Sequence, residues 1–220
     1  MVRAHYKQLI KAHRLFYGGY EYRAPYYDDY MKRKNWGEWS SPSVSIAEIE
    51  SLFRFIRSWD RFFQGDAEKF QEIYEEIYAV IRELEHYKIE DADLTDEDLT
   101  QKIRDVFDKV ANCTLMRRYE STDASKILHT IAPNFFVMWD DKIRKGMVQG
   151  RRMGATYAFY FLPMAQQDLE EAIKTCMDEK NFNRIEAIDH IRKQCNGKTL
   201  AKLADEYNYM KYTKCHSSLQ

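Results

Sequence analysis

Residues 121–150 read STDASKILHTIAPNFFVMWDDKIRKGMVQG, and the rest of the chain is organised around them. The first two side chains are hydroxyls that can cap a helix, and the apolar positions that follow have the i, i+3, i+4, i+7 spacing of a helix face. Pro133 predicts the end of this helix, because the residue before a proline disfavours helical backbone angles. The apolar run at 135–139 then predicts a short buried connector, and a second helix is expected to begin at Asp140.

The composition of the chain predicts a folded domain with a substantial core. Of its 220 residues, 45% are hydrophobic and 15% are aromatic. The formal net charge of -1 argues against binding to nucleic acid through bulk charge, and it leaves a local basic patch open. The charge is unevenly distributed, because residues 66–98 contain thirteen carboxylates and three Lys or Arg side chains. Separate acidic and basic faces are therefore expected.

Helical signals recur along the chain, and no stretch alternates apolar and polar residues over the length of a strand. Ser45, Asp66 and Thr95 each precede apolar residues at helical spacing, so each is expected to cap a helix. The predicted fold class is therefore all-α, in a single compact multi-helix domain. Its predicted parts are an N-terminal helix and aromatic-rich loop at 1–44, a helical subregion at 45–112 and a second helical subregion at 113–220.

The cysteines, Cys113, Cys176, Cys195 and Cys215, show neither a CxxC pair nor the Cys/His spacing of a zinc site. They are expected to be free thiols, which fits a cytoplasmic protein, and a metal site or a disulfide stays open as the alternative. No metal or cofactor is predicted. The chain has no N-terminal apolar segment and no apolar run approaching the ~18 residues of a membrane span, so neither secretion nor membrane spanning is expected.

The predicted N-terminal loop is unusually rich in aromatic side chains, which are Tyr20, Tyr22, Tyr26, Tyr27, Tyr30, Trp36 and Trp39. Rings at this density can form a surface on which bases stack. They can equally pin a long loop onto the helices beneath it, with the hydroxyl groups reaching water. The sequence leaves both interpretations open.

Residues 121–147 resemble the second hairpin helix, the connector and the following helix of the helix-hairpin-helix DNA glycosylase superfamily. In that superfamily a Thr-Ala pair opens the hairpin's second helix, and a hydrophobic-Asp-Thr-His-Val sequence further on presents the catalytic aspartate at a helix start. Asp123 and Ala124 stand at the first position here, and residues 139–143 stand at the second with the spacing kept. Residues 125–140 and 205–209 also resemble an uncharacterised helical family related to those glycosylases.

The resemblance implies a glycosylase-like core in residues 113–220 and a catalytic role for Asp140. Residues 116–120 lack the hairpin glycines with which the family offers backbone amides to a DNA phosphate. Thr122 stands where bifunctional members carry a Schiff-base lysine, so any base excision is expected to be monofunctional. In such a mechanism the carboxylate of Asp140 stabilises positive charge on the sugar as the flipped base departs.

Further candidate site residues surround Asp140 in the sequence. Lys126 and His129 share a helix face and are expected to contact Asp140 or a ligand, with Trp139 beside them. A basic cluster follows, and its members are Lys142, Arg144, Lys145, Arg151 and Arg152. These cations suit phosphate contacts, and Lys145 stands where the family commonly has a basic residue. They suit equally the C-terminal half of a helix, where the macrodipole favours positive charge.

The sequence therefore supports two hypotheses about function. The first is a DNA glycosylase-related protein that binds nucleic acid or a nucleobase-like ligand and excises a base with Asp140. The second is a non-enzymatic interaction protein that reuses the fold and holds a protein partner through its aromatic loop and its polarised surface. In the second case Asp140 is simply an N-cap, bound to the backbone amides of its own helix.

Overall fold

The computed structural model describes residues 4–115 and 119–219, which form helices joined by turns and connecting segments. The α-helices are α1 (Tyr6–Leu15), α2 (Ala24–Arg33), α3 (Trp36–Trp39), α4 (Ile46–Trp59), α5 (Ala67–Leu84), α6 (Glu97–Ala111), α7 (Ser121–Ile131), α8 (Asp141–Met147), α9 (Gly154–Thr156), α10 (Leu162–Lys180), α11 (Arg184–Gln194) and α12 (Leu200–Asn208). Turns of π-helix follow three of them, at Phe16–Tyr20, Tyr157–Phe161 and Tyr209–Thr213, and a 3-10 turn closes the chain at Ser217–Leu219.

The all-α prediction is confirmed. Across residues 4–115 and 119–219 no strand forms, and the β pairing consists of one isolated bridge between Gly65 and Thr114. None of the helices in this part of the chain is both long and apolar enough to cross a membrane. The helix-hairpin-helix core stays a prediction, and residues 116–118 of the predicted hairpin lie outside the described residues.

The helix starts confirm part of the predicted capping. The side chains of Ser45 and Asp66 each accept a hydrogen bond from the amide three residues further on, as predicted. Asp96 rather than Thr95 caps α6, because the Asp96 carboxylate accepts hydrogen bonds from two amides of the first turn. Ser121 lies within α7, whose cap position makes no side-chain hydrogen bond. Tertiary packing therefore fixes the start of α7 more than its cap does.

The segment predicted as an aromatic loop contains α2 and α3. Pro25 fits the first turn of α2, where a proline loses no hydrogen bond and its fixed φ suits the helix. Tyr27 and Tyr30 then lie one turn apart on the buried face, and Trp39 of α3 is buried as well. Several rings of the same segment remain exposed, namely Tyr20, Tyr22, Tyr26 and Trp36. The segment thus supplies core side chains and also an exposed aromatic surface.

Helices that are distant in the sequence pack side by side. α1 lies against α10 and α12, so the two ends of the chain meet. α4 lies against α5 and α7, and α6 lies against α7. The π-helical turn after α12 lies against α8. This arrangement places the end of α4, the start of α8 and the end of α12 around one space.

The connector between α7 and α8 is buried, as the sequence predicts. Phe135, Phe136 and Val137 are fully buried, and Trp139 is 2% exposed. Because the connector is not helical, its backbone polar groups need partners from elsewhere. The Tyr157 hydroxyl forms hydrogen bonds with both backbone polar groups of Val137. It accepts one from the amide at 3.2 Å and donates one to the carbonyl at 2.7 Å.

Side chains of α7 complete the hydrogen bonds of the connector. The Ser125 hydroxyl accepts a hydrogen bond from the Trp139 amide at 3.1 Å, and the Trp139 indole donates to the Ser121 carbonyl at 3.1 Å. The His129 ring contacts the Phe136 carbonyl at 2.6 Å through Nδ1. The connector is therefore held rigidly up to the residue that precedes Asp140.

Replacing Tyr157 by Phe is expected to destabilise the fold by about 1–3 kcal/mol, because the buried amide and carbonyl of Val137 both lose their partner. The free energy of unfolding from urea titrations measures the effect. Tyr160→Phe is the matched control, since Tyr160 is 63% exposed, and its change should stay within about 0.5 kcal/mol. Equal effects of the two variants would contradict this role of the Tyr157 hydroxyl.

Candidate functional site

A cavity of about 270 Å³ lies where the end of α4, the start of α8 and the end of α12 meet. Six aromatic side chains form much of its wall, namely Phe16, Tyr27, Phe55, Trp59, Trp139 and Tyr209. Its charged lining residues are Arg23, Asp60, Lys126, Asp140 and Asp205. Flat apolar walls with a few convergent polar groups are the usual lining of a small-molecule site.

Three of the rings form one corner of the cavity. Phe16 and Trp59 lie parallel, with 9° between their planes and 6.1 Å between their centroids. Tyr209 stands edge-on to both rings, at 5.7 Å from Phe16 and 6.4 Å from Trp59. The guanidinium of Arg23 lies over the Trp59 ring at 4.7 Å from its centroid. These contacts hold the aromatic wall in one geometry.

An ion pair behind the wall holds Arg23 in place. Its guanidinium donates to both carboxylate oxygens of Glu21, at 2.6 and 2.9 Å, and to the Trp59 carbonyl at 3.1 Å. The Tyr209 hydroxyl donates to Glu21 at 2.6 Å. Burial alone would raise the pKa of Glu21, but the hydrogen bonds from Arg23 and Tyr209 hold it at about 2. The positive charge of Arg23 is therefore already neutralised by Glu21 in the absence of a ligand.

Asp140 caps α8 and also lines the cavity. Its Oδ1 accepts hydrogen bonds from the amides of Lys142 and Ile143, both at 2.8 Å, and its Oδ2 accepts one from the Thr213 hydroxyl at 2.5 Å. The side chain is half-buried, so part of it remains open to the cavity. The two roles that the sequence leaves open for Asp140, a helix cap and a cavity residue, are thus combined in one carboxylate.

Lys126 also lines the cavity, one side of which is formed by α7. Its ammonium pairs with Asp123 at 2.8 Å, and the Asp123 side chain is 1% exposed. Burial raises the pKa of Asp123 to about 6, and Lys126 opposes this shift. Lys126 therefore neutralises Asp123 on its own helix and also lines the cavity. The predicted contact between Lys126 and Asp140 is absent from the hydrogen bonds of the described residues.

A second carboxylate, Asp205, reaches the cavity from α12 and is 7% exposed. Its Oδ2 accepts a hydrogen bond from the Lys202 ammonium at 2.6 Å. Burial raises the pKa of Asp205 to about 6, although Lys202 opposes this, and the carboxylates of Glu206 and Asp140 raise it further. Asp205 and Asp140 thus line one cavity, and the charge of Asp140 helps to raise the pKa of Asp205.

His129 lies in the core, outside the set of side chains that line the cavity. Its Nδ1 donates to the Phe136 carbonyl at 2.6 Å, and its Nε2 accepts from the Tyr27 hydroxyl at 2.9 Å. Burial lowers the pKa of His129 to about 3, so the ring is neutral at physiological pH. The arrangement favours a role for His129 in holding the connector.

The basic cluster predicted from the sequence is arranged around Asp141. The Asp141 carboxylate pairs with Arg144 at 2.6 Å, Lys145 at 2.7 Å and Arg152 at 2.9 Å. Arg152 and the two other cations hold the pKa of Asp141 well below its usual range, despite partial burial. Lys142 and Arg151 are exposed. Arg144 is buried and the other four cations are exposed, and none of the five lines the cavity.

Several lining residues were not predicted from the sequence. Arg23, Trp59 and Asp60 come from the N-terminal third of the chain, and no local motif marks them. Asp205 belongs to the second segment of the resemblance, and the sequence gives this residue no role. A pattern of apolar periodicity predicts which face of a helix is buried, but it does not predict which helix ends meet.

The described residues contain no group of three or more His, Cys, Asp or Glu side chains arranged to hold a metal ion. The chain matches no protein-family model, and comparisons with curated proteins and with solved structures gave no significant match.

The neutral state of His129 predicts a specific acid sensitivity. Its pKa is about 3 in the folded protein and ~6.5 when unfolded, so the unfolded chain binds more protons between these values. Stability from this group is complete above the unfolded pKa and is lost as the pH falls. Between pH 6.5 and 4.5 the loss should be about 2 kcal/mol.

Urea unfolding of the wild type and of His129→Gln at pH 7.5, 6.0 and 4.5 measures this loss. Between pH 6.0 and 4.5 the free energy of unfolding should fall by about 2 kcal/mol less in the variant than in the wild type. His86→Gln is the matched control, because His86 is exposed, and its slope should equal that of the wild type. A His129→Gln slope equal to that of the wild type would show that the pKa of His129 is the same in the folded and unfolded states.

Proposed function

We propose that the chain is a DNA glycosylase-related protein that takes a flipped nucleobase into the cavity and excises it hydrolytically, with Asp140 as the catalytic carboxylate. One observation carries this proposal: Asp140 lies on a cavity that is walled by aromatic side chains. A base flipped from a duplex is typically held between such rings and read by hydrogen bonds to its edge. The resemblance of residues 121–147 to glycosylases supports the same role for this aspartate.

The size of the cavity favours a single ring system. Its volume of about 270 Å³ lies just below the usual range of ligand pockets, which begins at ~300 Å³. The parallel rings of Phe16 and Trp59 and the edge-on ring of Tyr209 form a corner suited to contact with a planar guest. A whole dinucleotide would have to remain outside, on the surface of the protein.

The charges around the cavity favour a guest that develops positive charge. Arg23 is paired with Glu21, and Lys126 with Asp123, so these cations are already neutralised. Asp140, in contrast, is held by two amides and a hydroxyl group. A carboxylate in this position stabilises the cationic sugar that forms as the bond to the base breaks.

Base release by the wild type and by Asp140→Asn tests the proposal. Asparagine is a good N-cap, so the variant should keep the start of α8 while it loses the negative charge. We expect single-turnover release to fall by about 10²–10³-fold, with binding of the substrate retained. The substrates are duplexes that carry uracil, 8-oxoguanine, an alkylated purine or a mismatch, compared with an undamaged duplex.

Asp178→Asn is the matched control, because Asp178 is exposed on α10 and does not line the cavity. Its release rates should equal those of the wild type. Release that survives unchanged in Asp140→Asn would exclude the catalytic role. Failure of the wild type to bind any of these duplexes at low salt would remove the proposal altogether.

The exposed cations near Asp140 predict a shallow dependence of DNA binding on salt. Lys142, Lys145, Arg151 and Arg152 are exposed, but Asp141 already pairs with two of them. The double variant Lys142→Gln/Arg151→Gln should reduce the slope of log K against log salt by about 2, since each lost phosphate contact removes ~0.9. Lys174→Gln, an exposed change on α10, should leave the slope unaltered.

A non-enzymatic interaction module is the second candidate, because exposed rings lie beside the cavity. Tyr22 and Phe62 are 75% and 73% exposed, and each is close in sequence to a lining residue, Arg23 or Asp60. Aromatic side chains of this kind are common anchors in protein interfaces. Under this candidate, Asp140→Asn changes no measured activity, and substitution of Tyr22 or Phe62 abolishes binding of a protein partner.

A further inference from the structure

Asp205 is one of three carboxyl groups that line the cavity, and its surroundings differ from those of Asp140. It is carried by α12, close to Tyr209, and is almost completely buried. Lys202 of the same helix fixes its Oδ2 at 2.6 Å. Asp140, in contrast, accepts hydrogen bonds on both oxygens, so in this arrangement it presents no proton to a guest.

A buried chain of polar groups leads from Asp205 into the core. The Lys202 ammonium is 1% exposed and lies over the rings of Phe16 and Tyr27, at 4.6 and 4.9 Å from their centroids. It also lies 3.6 Å from Glu206, whose other oxygen contacts the His13 ring at 2.7 Å. This packing fixes Asp205 in the cavity wall, because neither the helix nor its lysine can shift without opening the core.

Asp140 and Asp205, two of the three carboxyl groups that line the cavity, are suited to different steps of one reaction. Burial raises the pKa of Asp205 to about 6, against the pull of Lys202, and Glu206 and Asp140 add to the rise. When two titratable groups in one site have such different environments, one can act as the acid while the other acts as the anion. The contacts of the two carboxyl groups also differ. Both oxygens of Asp140 accept hydrogen bonds from amides or a hydroxyl, whereas Asp205 lies among the buried charges of Lys202 and Glu206.

We propose that Asp205 is a second catalytic residue, which donates a proton to a ring nitrogen of the bound base while Asp140 stabilises the sugar. This inference rests on the proposed function and deepens it, because it defines the guest as a base with an unprotonated ring nitrogen. In the bound state the protonated carboxyl group of Asp205 donates a hydrogen bond to that nitrogen. A base whose ring nitrogens are all protonated or substituted lacks this contact.

The step balances without any added reactant. The bond between the sugar C1′ and the base nitrogen breaks, and its electron pair goes to the base. The proton of Asp205 forms an N–H bond on the base, which leaves neutral, and Asp205 becomes a carboxylate. Water then forms a C–O bond to C1′ and gives its proton to Asp140, which returns it to solvent. Asp205 takes a proton from solvent for the next turnover.

The charged and titratable groups that act on Asp205 come from its own helix and from the elements packed around it. They are Lys202 and Glu206 of α12, Asp140 at the start of α8, Tyr27 of α2 and Tyr157 of the π-helical turn before α10. The pKa values of both tyrosines are raised by burial far above the physiological range. Protonation of Asp205 therefore decides the charge of this wall near pH 6.

Equilibrium binding of free adenine provides a first test that needs no cleavage. Adenine is a neutral ring with unprotonated ring nitrogens, so it needs the protonated form of Asp205. With a pKa of about 6, the wild type should bind adenine at least about tenfold more tightly at pH 5.5 than at pH 7.5. Titration calorimetry at the two pH values measures the ratio. Benzamidinium, a planar cation, should show the opposite trend.

The variant Asp205→Asn separates proton donation from hydrogen bonding. Asparagine can accept the Lys202 hydrogen bond and donate one to the guest, but it has no acidic proton. Adenine binding by this variant should be independent of pH between 5.5 and 7.5. Base release should be about 10²-fold slower than in the wild type, and the loss of rate above pH 6 should disappear. Asp178→Asn, at an exposed carboxylate of α10 outside the cavity, is the matched control and should preserve both pH profiles.

The outcomes distinguish the inference from the function on which it rests. Equal adenine affinity of the wild type at both pH values would overturn the role of Asp205 while leaving base binding and Asp140 intact. Wild-type rates in Asp205→Asn would do the same. If the wild type neither binds adenine nor releases any base, the proposed function fails, and the inference fails with it. The adenine titration of the wild type requires no variant to fold.

Discussion

The structure depends on one constraint: a non-helical connector runs through the hydrophobic core. Its apolar side chains fill the space between α7 and the helices around it, but its backbone cannot reach water. The hydroxyl of Tyr157, the hydroxyl of Ser125 and the ring of His129 supply the missing hydrogen bonds. Because these partners are fixed by packing, the chain leaves the core at one position and in one direction. Asp140 is the first residue at that exit.

The same constraint explains the electrostatic character of the cavity. The connector and the aromatic wall exclude water from one side, so charges there interact strongly and need partners. Arg23 and Lys126 find theirs in Glu21 and Asp123 behind the wall. Asp140 instead receives hydrogen bonds from amides and a hydroxyl, which stabilise the anion without adding a full positive charge. The cavity is therefore unsuited to a phosphate and suited to a guest that donates hydrogen bonds or becomes cationic.

Local signals in the sequence predict the helices and the connector, but they do not predict the cavity. The apolar periodicity of α7, the stop at Pro133 and the cap at Asp140 are each determined by a few neighbouring residues. Arg23 and Asp205 are separated by most of the chain and line one cavity because elements that are distant in the sequence pack together. The aromatic segment was predicted as a loop because its Gly, Pro and Asn content outweighed the spacing of its buried tyrosines.

The buried charges on α12 are costly, and their distribution indicates where a proton is stored. His13, Lys202, Asp205 and Glu206 are all less than 10% exposed, so a net charge among them is strongly disfavoured. With Lys202 charged and both carboxylates ionised, the group carries one negative charge too many. One further proton restores neutrality, and Asp205, whose pKa burial raises to about 6, can hold it at the cavity wall. Replacing this group by apolar residues would usually stabilise a core. A buried group that is neutral only when Asp205 is protonated is suited to supplying a proton at the wall, where a departing base would need it.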